Sequence, residues 1–313
     1  PMLLTIVTTK NPHLIYFKWL LIFAILMSIY LIYKVIYIPS VNIHEGFSQE
    51  ELFLIKNNEN AYDSFYLEIY DALHDVFDRQ NSELKHIVQT TNPCNNNSTI
   101  LDVGCGTGHA VSLLQEEGYN VFGIDKSKAM CDFANTYYPN IEVLNNDVLK
   151  PIVFEKHSFT HILCTYFTIY HFENKKQFFR NCYFWMKPGG YLVVHLVDKE
   201  KFSNIIPHHL ARSWRTYPEK NRFSLKTRAI FDDFEYNGSF DMYKNSAETT
   251  FIETMTDLET KHIRQNEFDL YIEDIDTICN YAVHNGFILH AKTNMKNMNN
   301  DENQYLYYFE RPL

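Results

Sequence analysis

The sequence has little positive charge, few cysteines and none of the common metal-binding motifs. Lysine and arginine number 28 against 38 aspartate and glutamate residues, for a net charge of −10. The first 40 residues carry three lysines and no acidic residue, so the rest of the chain has a net charge of −13. A body this acidic repels phosphate backbones, and no basic patch with interleaved aromatic residues is present. Nucleic acid is therefore disfavoured as a partner.

The six cysteines lack the spacing of a disulfide framework. The chain has no C-x-x-C pair and no H-E-x-x-H motif, and the adjacent His208 and His209 are too close in sequence to chelate as a helical i, i+4 pair. The sequence therefore predicts no metal cofactor. An apolar content of 46% with 16% aromatic residues indicates a packed globular body.

Long apolar runs are also scarce, and the exception is residues 14–38, which follow a short tail at 1–13. The charge-free centre, residues 19–33, would measure ~22 Å as a helix, against a hydrocarbon core of ~30 Å. All 25 residues together would reach ~37 Å, with Lys18 and Lys34 able to extend to the headgroups. No cleavage pattern follows the run, so it predicts a single-pass membrane anchor. The alternatives are a removed signal peptide and a buried core helix.

Glycine is rare too, yet three of the 10 glycines fall in one Gly-Cys-Gly-Thr-Gly loop at residues 104–108. The loop follows the apolar run 100–103 and opens onto the helix-like segment 109–114. Such a loop lets a ligand approach the backbone, and it directs free N–H groups and the positive end of a helix dipole toward a negative group. His109 stands where the dinucleotide fingerprint requires its third glycine. A tight turn without a ligand is the alternative.

Three further landmarks follow the loop in order. Asp125 closes the apolar run 121–124, 21 residues after Gly104, where it can accept hydrogen bonds from a ribose diol. Residues 145–148, Asn-Asn-Asp-Val, end the next apolar run, and residues 185–194 read as a helix, a Pro-Gly-Gly turn and a strand. Together with the glycine loop, these landmarks resemble the motifs of class I S-adenosylmethionine-dependent methyltransferases.

The resemblance implies an α/β fold with a Rossmann-like, doubly wound seven-stranded sheet, closed by an antiparallel hairpin. It also implies S-adenosylmethionine as the cofactor, with the glycine loop at its amino-acid end, Asp125 at the ribose, and Asp147 with a backbone N–H at the adenine. The predicted cofactor-binding residues are Asp102, Gly104, Cys105, Gly106, Gly108, Asp125, Lys126, Asn146, Asp147, Val148, Cys164 and Tyr166.

Residues 39–97 read as a helical cap followed by a turn-rich linker, before the cofactor-binding core at 98–200. In the resembled family such a cap covers the cofactor. The cap tyrosines could shield a sulfonium by cation–π contact or could simply pack in the core. These tyrosines are Tyr62, Tyr66 and Tyr70.

After the core, residues 201–272 alternate as strands do, at 227–236, 247–256 and 262–271, which predicts an inserted antiparallel lid over the acceptor. Residues 273–313 predict a last helix and the closing hairpin. The charged residues of the insert are expected on solvated faces: Arg228, Asp232, Asp233, Glu253 and Arg264.

Methyl transfer from a sulfonium is an in-line displacement, which needs alignment and, only for a poorly acidic acceptor, a general base. His171 matches a histidine often found after the fourth core strand of the resembled family. It is the candidate base, and the alternative is a histidine that holds a loop. Thr160 departs from the family, which usually has aspartate at the start of this strand.

The sequence thus predicts methyl transfer to a small-molecule or lipid-like acceptor. A catalytically silent methyltransferase-like domain that binds S-adenosylmethionine or a protein partner is the first alternative, and Thr160 is its support. A nicotinamide-dependent enzyme is the second. Because the cofactor is made in the cytosol, we expect the body to face the cytosol from its anchor at 14–38, although the flanking lysines favour the opposite orientation.

Overall fold

A computed structural model of the chain describes residues 12–37, 51–95, 97–202, 213–218, 224–242, 246–299 and 302–313. The chain divides into two compact units, Pro1–His44 and Glu45–Leu313. The described part of the first unit is one helix, α1, at Pro12–Tyr37.

No helix in these described ranges combines the length and the apolar character needed to cross a membrane. The anchor predicted at residues 14–38 is therefore not supported, although a helix does form there.

The second unit contains two sheets and the helices that pack on them. In chain order its elements are β1 (Phe53–Asn57), α2 (Ser64–Leu73), α3 (Val76–Thr91), β2 (Thr99–Val103), α4 (His109–Glu116), β3 (Asn120–Asp125), α5 (Lys128–Tyr137), β4 (Glu142–Asn145), β5 (Phe159–Cys164), α6 (Lys175–Trp185), β6 (Met186–Val197), β7 (Ser213–Pro218), β8 (Ser224–Ile230), β9 (Phe234–Met242), β10 (Glu248–Asp257), β11 (Ile263–Tyr271), α7 (Ile275–His284), β12 (Ile288–Asn294), α8 (Lys296–Asn299) and β13 (Gln304–Glu310).

The core sheet has the strand order β12-β13-β6-β5-β2-β3-β4. Strands β4, β3, β2, β5 and β6 run parallel, and β13 and β12 close the sheet as antiparallel strands. The Rossmann-like α/β fold with its closing hairpin is thus confirmed. The central strands are apolar on both faces because helices cover both, and Leu101, Ile162 and Val193 are fully buried.

The chain reverses its direction of travel across this sheet between β2 and β5. Strands β2, β3 and β4 succeed one another toward one edge, whereas β5 returns to the other side of β2. At such a switch point the loops leaving the two strands separate, and a crevice opens at their carboxyl ends. The glycine loop after β2 and residues 165–172 after β5 border this crevice.

The second sheet, called here the lid sheet, has the order β1-β11-β10-β9-β8-β7. Neighbouring strands are antiparallel except β1, which pairs in parallel with β11. Strand β1 corrects the prediction of helix for this part of the cap: its register, beginning with Phe53 opposite Ile263, depends on a partner about two hundred residues away.

The single strand predicted at 227–236 is also wrong, because the chain turns within it. Strand β8 ends at Ile230, and β9 begins at Phe234. The turn is closed by the Phe231 N–H, which donates to the Phe234 carbonyl at 2.9 Å. The alternation of buried and exposed residues is interrupted at the turn by Asp232 and Asp233, which are both exposed.

Candidate cofactor and acceptor site

The glycine loop is built for close backbone approach. Gly104 and Gly106 have φ of +67° and +54°, the left-handed region that favours glycine. A β-carbon at Gly104 would lie 2.5 Å from Thr168 Cγ2, whereas one at Gly106 would meet no atom within 4 Å. The loop therefore packs tightly against the turn after β5 at Gly104 and leaves a bare surface at Gly106.

Asp125, at the end of β3, holds this loop from the neighbouring strand. Its Oδ2 accepts the Gly106 N–H at 3.0 Å, and its Oδ1 accepts the Ser127 N–H at 2.8 Å. Burial raises the pKa of the Asp125 carboxyl, and the two backbone N–H groups oppose that shift. Each carboxylate oxygen keeps a second lone pair, so the side chain can still accept hydrogen bonds from a ligand.

The loop after β4 is fixed by its own polar side chains. Asn146 Oδ1 accepts the Asp147 N–H at 2.9 Å, and Asp147 Oδ1 accepts the Leu149 N–H at 2.8 Å. From α6, the Asn181 side chain donates to the Val148 carbonyl at 2.8 Å. The Asp147 side chain and the nearby main chain are thereby held at the edge of the crevice.

These three loops border one cavity of about 400 Å³. Of the predicted cofactor-binding residues, eight lie on its wall: Gly104, Gly106, Asp125, Lys126, Asn146, Asp147, Val148 and Tyr166. The other four lie off the wall and are buried: Asp102, Cys105, Gly108 and Cys164. Burial raises the pKa of Asp102 to about 7, in keeping with a position inside the sheet.

The far half of the cavity is aromatic. Tyr62, Tyr66, Tyr70 and His74, spaced four residues apart, face it from α2 and its two ends. Opposite them, Phe240, Phe251 and Phe268 stand in register on β9, β10 and β11, with centroids 4.5 and 6.2 Å apart. The cap tyrosines thus line the cavity, and their i, i+4 spacing was the signal in the sequence.

The prediction that Glu253 and Arg264 lie on solvated faces is wrong, because both are buried behind this aromatic wall. Glu253 on β10 is fully buried, and so is almost all of Arg264 on β11. Tyr66 and Tyr236 each donate a hydroxyl hydrogen bond to Glu253, the latter at 2.8 Å. The alternation of β10 carried the missed signal, because Phe251, Glu253 and Met255 share its buried face.

Arg264 anchors the lid sheet to the start of the cap helix. Its Nη1 donates to both carboxylate oxygens of Asp63 at 2.9 Å, and its Nη2 donates to the Ala61 carbonyl at 2.8 Å. Asp63 is also the N-cap of α2, because its carboxylate accepts the Tyr66 N–H. The cap, predicted to lie over the core, is therefore tied to the lid sheet.

The turn after β5 carries unusual backbone strain. Tyr166 and Phe167 have φ of 37° and 51°, which is uncommon for bulky residues. The Phe167 N–H donates to His195 Nδ1 at 3.0 Å, and His195 Nε2 in turn bonds Gln304 Oε1 at 2.9 Å. Two buried strand residues thus hold the turn that brings Tyr166 to the cavity wall.

His171 and Thr160 occupy different kinds of position. His171 lies on the cavity wall with its ring centroid 6.4 Å from that of Phe268. Thr160 lies away from the cavity: its hydroxyl accepts the Thr99 N–H at 2.9 Å and donates to the Thr99 carbonyl at 3.0 Å. The departure from the family pattern at Thr160 is therefore a link between β5 and β2.

Asp71 on α2 was not anticipated at all. It accepts a hydrogen bond of 2.6 Å from the Thr107 hydroxyl in the glycine loop, so it connects the cap with the loop. Burial raises the pKa of Asp71 to about 6. Within the described residues, no group of three or more His, Cys, Asp or Glu side chains is placed to hold a metal ion.

Residues 101–194, from β2 through most of β6, match the sequence profile of the methyltransferase domain family. Over these residues the chain is similar to a methyltransferase domain. Over 113 residues the chain is 32% identical to a ubiquinone biosynthesis O-methyltransferase of Rickettsia typhi, a match that covers 33% of this chain and 42% of that protein. The chain thus spans less than half the length of that relative.

Two solved structures share the fold of residues 101–194 and their surroundings. The CcbJ methyltransferase from Streptomyces caelestis is 14% identical with a TM-score of 0.60, over 82% of this chain and 100% of that chain. CalS10 with bound S-adenosylmethionine, an amino pentose methyltransferase from Micromonospora echinaspora, is 14% identical with a TM-score of 0.55, over 78% and 96% of the two chains. At this identity the similarity establishes the fold.

Proposed function

We propose that this protein is a class I S-adenosylmethionine-dependent methyltransferase that methylates a small-molecule or lipid-like acceptor by in-line displacement. One observation carries the proposal: the glycine loop, Asp125 and the loop after β4 share a single cavity with the aromatic wall of the cap and lid. Its size, about 400 Å³, falls within the ~300–1,000 Å³ typical of small-molecule sites.

The residues at the crevice fit the proposed cofactor. The bare backbone at Gly106 would admit its amino-acid end, Asp125 would accept hydrogen bonds from its ribose, and Asp147 would lie at the adenine. S-adenosylmethionine would supply a methyl group on a positively charged sulfur. The tyrosine rings of the cap, together with Asp125, make this a favourable environment for a cation.

The wall composition argues for a neutral or cationic acceptor with an apolar or aromatic body. Among the lysines and arginines that the structure describes, Lys126 alone lies on the cavity wall. Its Nζ is paired with Glu59 at 2.5 Å. The wall also carries Asp269. An anionic acceptor would therefore lack a free counter-charge. The Rickettsia relative is an O-methyltransferase and CalS10 acts on an amino sugar, so both hydroxyl and amine acceptors are to be tested.

Two predictions from the sequence belong to this proposal. His171 is placed where it could accept a proton from an acceptor, and its role as a base stays a prediction. The cytosolic orientation of the body also stays a prediction, resting on where the cofactor is made.

Calorimetry on the full chain tests the cofactor half. We expect S-adenosylmethionine and S-adenosylhomocysteine to bind and NAD not to bind. Transfer of a radiolabelled methyl group is then measured to catechol, to 2-phenylethylamine and to an uncharged monoacylglycerol. The Asp125→Ala variant, with a weakened cofactor site, is the control for transfer.

The possible results separate the alternatives. If neither sulfur nucleotide binds, the proposal is wrong. Binding of NAD in their place would favour the nicotinamide-dependent alternative. Tight binding of both sulfur nucleotides without turnover across a wide acceptor panel would favour a catalytically silent domain.

A further inference from the structure

Glu253 is an acidic residue in a fully buried strand position, where charged side chains are rare. It lies in the middle of β10, fully buried, on the same face as Phe251. In the register it stands opposite Gly238 on one side and Asn266 on the other. A β-carbon at Gly238 would be 2.8 Å from the Tyr236 hydroxyl oxygen, so the glycine makes room for Tyr236 to reach the carboxylate.

From Glu253 a continuous chain of hydrogen bonds leads to the cavity. The Tyr66 hydroxyl bonds the carboxylate and, at 3.1 Å, His74 Nε2. The other ring nitrogen, His74 Nδ1, bonds the Tyr166 hydroxyl at 3.0 Å. Tyr166 lies on the wall of the cavity proposed to hold both cofactor and acceptor, so the chain of hydrogen bonds begins at that cavity.

Hydrogen-bonding chemistry sets the direction of this chain. An ionised carboxylate can only accept, so Tyr66 donates its proton to Glu253. The Tyr66 oxygen then accepts from His74 Nε2–H, which leaves Nδ1 without a proton and able to accept from Tyr166. Burial lowers the pKa of His74 to about 3, so the ring is neutral and carries the single proton that this direction requires.

Arg79 on α3 supports the cavity end of the chain. Its guanidinium carbon lies 3.5 Å from the centroid of the Tyr166 ring. A cation over the ring stabilises negative charge that develops on the Tyr166 oxygen during proton transfer. Arg79 is itself held by Glu83, one turn further along α3.

We propose that Tyr166, His74, Tyr66 and Glu253 form a proton relay in which Glu253 is the terminal acceptor for the proton that a hydroxyl or amine acceptor releases on methylation. The inference rests on the proposed function and deepens it. It restricts the acceptor to a group that loses a proton, which excludes tertiary amines and thioethers as the natural acceptors.

The step balances in atoms and charge. A lone pair on the acceptor's oxygen or neutral amine nitrogen bonds the methyl carbon while the electron pair of the carbon–sulfur bond leaves with sulfur. The O–H bond, or one N–H bond of the ammonium so formed, then breaks and its electron pair stays on the acceptor. That proton passes to the Tyr166 oxygen, the Tyr166 proton to His74 Nδ1, the Nε2 proton to Tyr66, and the Tyr66 proton to Glu253. Glu253 ends as a neutral acid, and the reverse shift returns the proton to water after the product leaves.

The groups around Glu253 suit reversible protonation. Tyr66 and His74 face it from the cap, Tyr236 from β9 and Arg264 from β11, and Tyr62 lies further along the cap. Burial raises the pKa of Glu253 to about 7, while hydrogen bonds from the two tyrosines and the charge of Arg264 oppose the shift. Because only the ionised form accepts a proton, relay-dependent transfer should increase as the pH rises through about 7.

NMR on the full chain saturated with S-adenosylhomocysteine tests the relay without an acceptor. With nitrogen-15 in histidine and carbon-13 in the glutamate carboxyl, we expect His74 to stay neutral from about pH 5 to about pH 8, with its proton on Nε2 while Glu253 is ionised and on Nδ1 once Glu253 is protonated. We expect Glu253 to titrate with a midpoint of about 7. The signals are assigned by their loss in His74→Gln and Glu253→Gln.

Substitutions at the two ends of the chain should act differently. Tyr66→Phe removes a donor from the carboxylate, so the pKa of Glu253 should rise. Tyr166→Phe keeps the ring over Arg79 but frees His74 Nδ1, so the two tautomers of His74 should mix while Glu253 is unaffected. The matched control is Tyr70→Phe: its ring lies 4.5 Å from that of His74, and its hydroxyl makes no hydrogen bond with the described residues, so both signals should be unchanged.

A proton on Nδ1 of His74 in the wild type at about pH 8, where Glu253 is ionised, or a Glu253 that stays ionised at about pH 5, would overturn the relay. Kinetics give a second test: with any acceptor the protein methylates, Glu253→Gln should slow single turnover at about pH 8 by ~10²- to 10⁴-fold and abolish the rise with pH. An unchanged profile would also overturn it. If the relay fails these tests but the protein still binds S-adenosylhomocysteine, the proposed function remains intact. If the protein does not bind S-adenosylhomocysteine, the proposed function itself is wrong.

Discussion

Gly104 and Thr168 are packed so closely that a single methyl group would not fit between them, since a β-carbon on Gly104 would lie 2.5 Å from Thr168 Cγ2. The contact joins the loop after β2 to the turn after β5, the two segments that border the crevice. It also explains why the turn that carries Tyr166 keeps its strained backbone beside the loop.

Gly104→Ala should therefore destabilise the protein by about 2–5 kcal/mol, the sum of left-handed strain and overpacking. Gly106→Ala is the matched control, because it has a similar φ and no clash, so it should cost only about 1–2 kcal/mol. Urea unfolding measures both. Thr168→Ala should restore part of the loss in Gly104→Ala, and equal losses in the two glycine variants would contradict this packing.

Asp125→Ala should weaken S-adenosylhomocysteine binding by about 1–3 kcal/mol, because ribose hydrogen bonds are lost and the Gly106 N–H loses its acceptor. Asp132→Ala is the control: Asp132 is 63% exposed on α5 and pairs with Lys128, so its loss should leave affinity unchanged. Calorimetry measures both affinities. Equal effects of the two substitutions would show that the ribose lies elsewhere.

Asp71 should make stability depend on pH. Its folded-state pKa is raised from 3.8 to about 6, so its contribution is fully present below the unfolded pKa and is lost as pH rises through about 6. Relative to Asp71→Asn, the wild type should thus gain about 1–3 kcal/mol as pH falls from about 7 to about 4.

Urea unfolding at a series of pH values measures this difference. Thr107→Val removes the hydrogen bond that lowers the pKa of Asp71, so the midpoint of the change should move to higher pH. If the stability of the wild type relative to Asp71→Asn increased as the pH rises, the sign would contradict a carboxyl whose pKa is raised by burial.

Arg264→Ala should cost about 2–4 kcal/mol of unfolding free energy, because it leaves Asp63 and the Ala61 carbonyl without their buried partner. Arg228→Ala breaks an ion pair with Glu235 that is close, at 2.6 Å, but partly exposed, so it should cost less than about 1 kcal/mol. Chemical denaturation of both variants tests the contrast. A larger loss in Arg228→Ala would contradict the anchoring role of Arg264.

The core sheet was predictable from local patterns. The apolar runs 100–103 and 121–124 lie within β2 and β3, and the helix-like segment 109–114 lies within α4. The spacing of the glycines and the apolar runs of the strands lie within a few residues, so they can be recognised without knowledge of the rest of the chain. The lid sheet was predicted less well, since β1 is a strand only through its pairing with β11.

The buried polar residues on the lid side of the site could not be predicted either, because their contacts also join distant parts of the chain. Glu253 and Arg264 are charged residues in alternating strands, and charged residues on a strand usually face water. Only the packing of the lid sheet on α2 shows that their face is the inner one. Tyr66 and Glu253 are 187 residues apart in the chain, and no local pattern joins them.

By itself, the sequence determined the half of the site that is proposed to hold the cofactor. Glycines that tolerate left-handed backbone, an acid at the end of the next strand and alternating apolar runs specify that crevice through short-range geometry. The tertiary structure decided the acceptor half, where Tyr166, His74, Tyr66 and Glu253 come from three separate segments. Their hydrogen bonds exist because burial brings distant polar groups together and removes water as a competing partner.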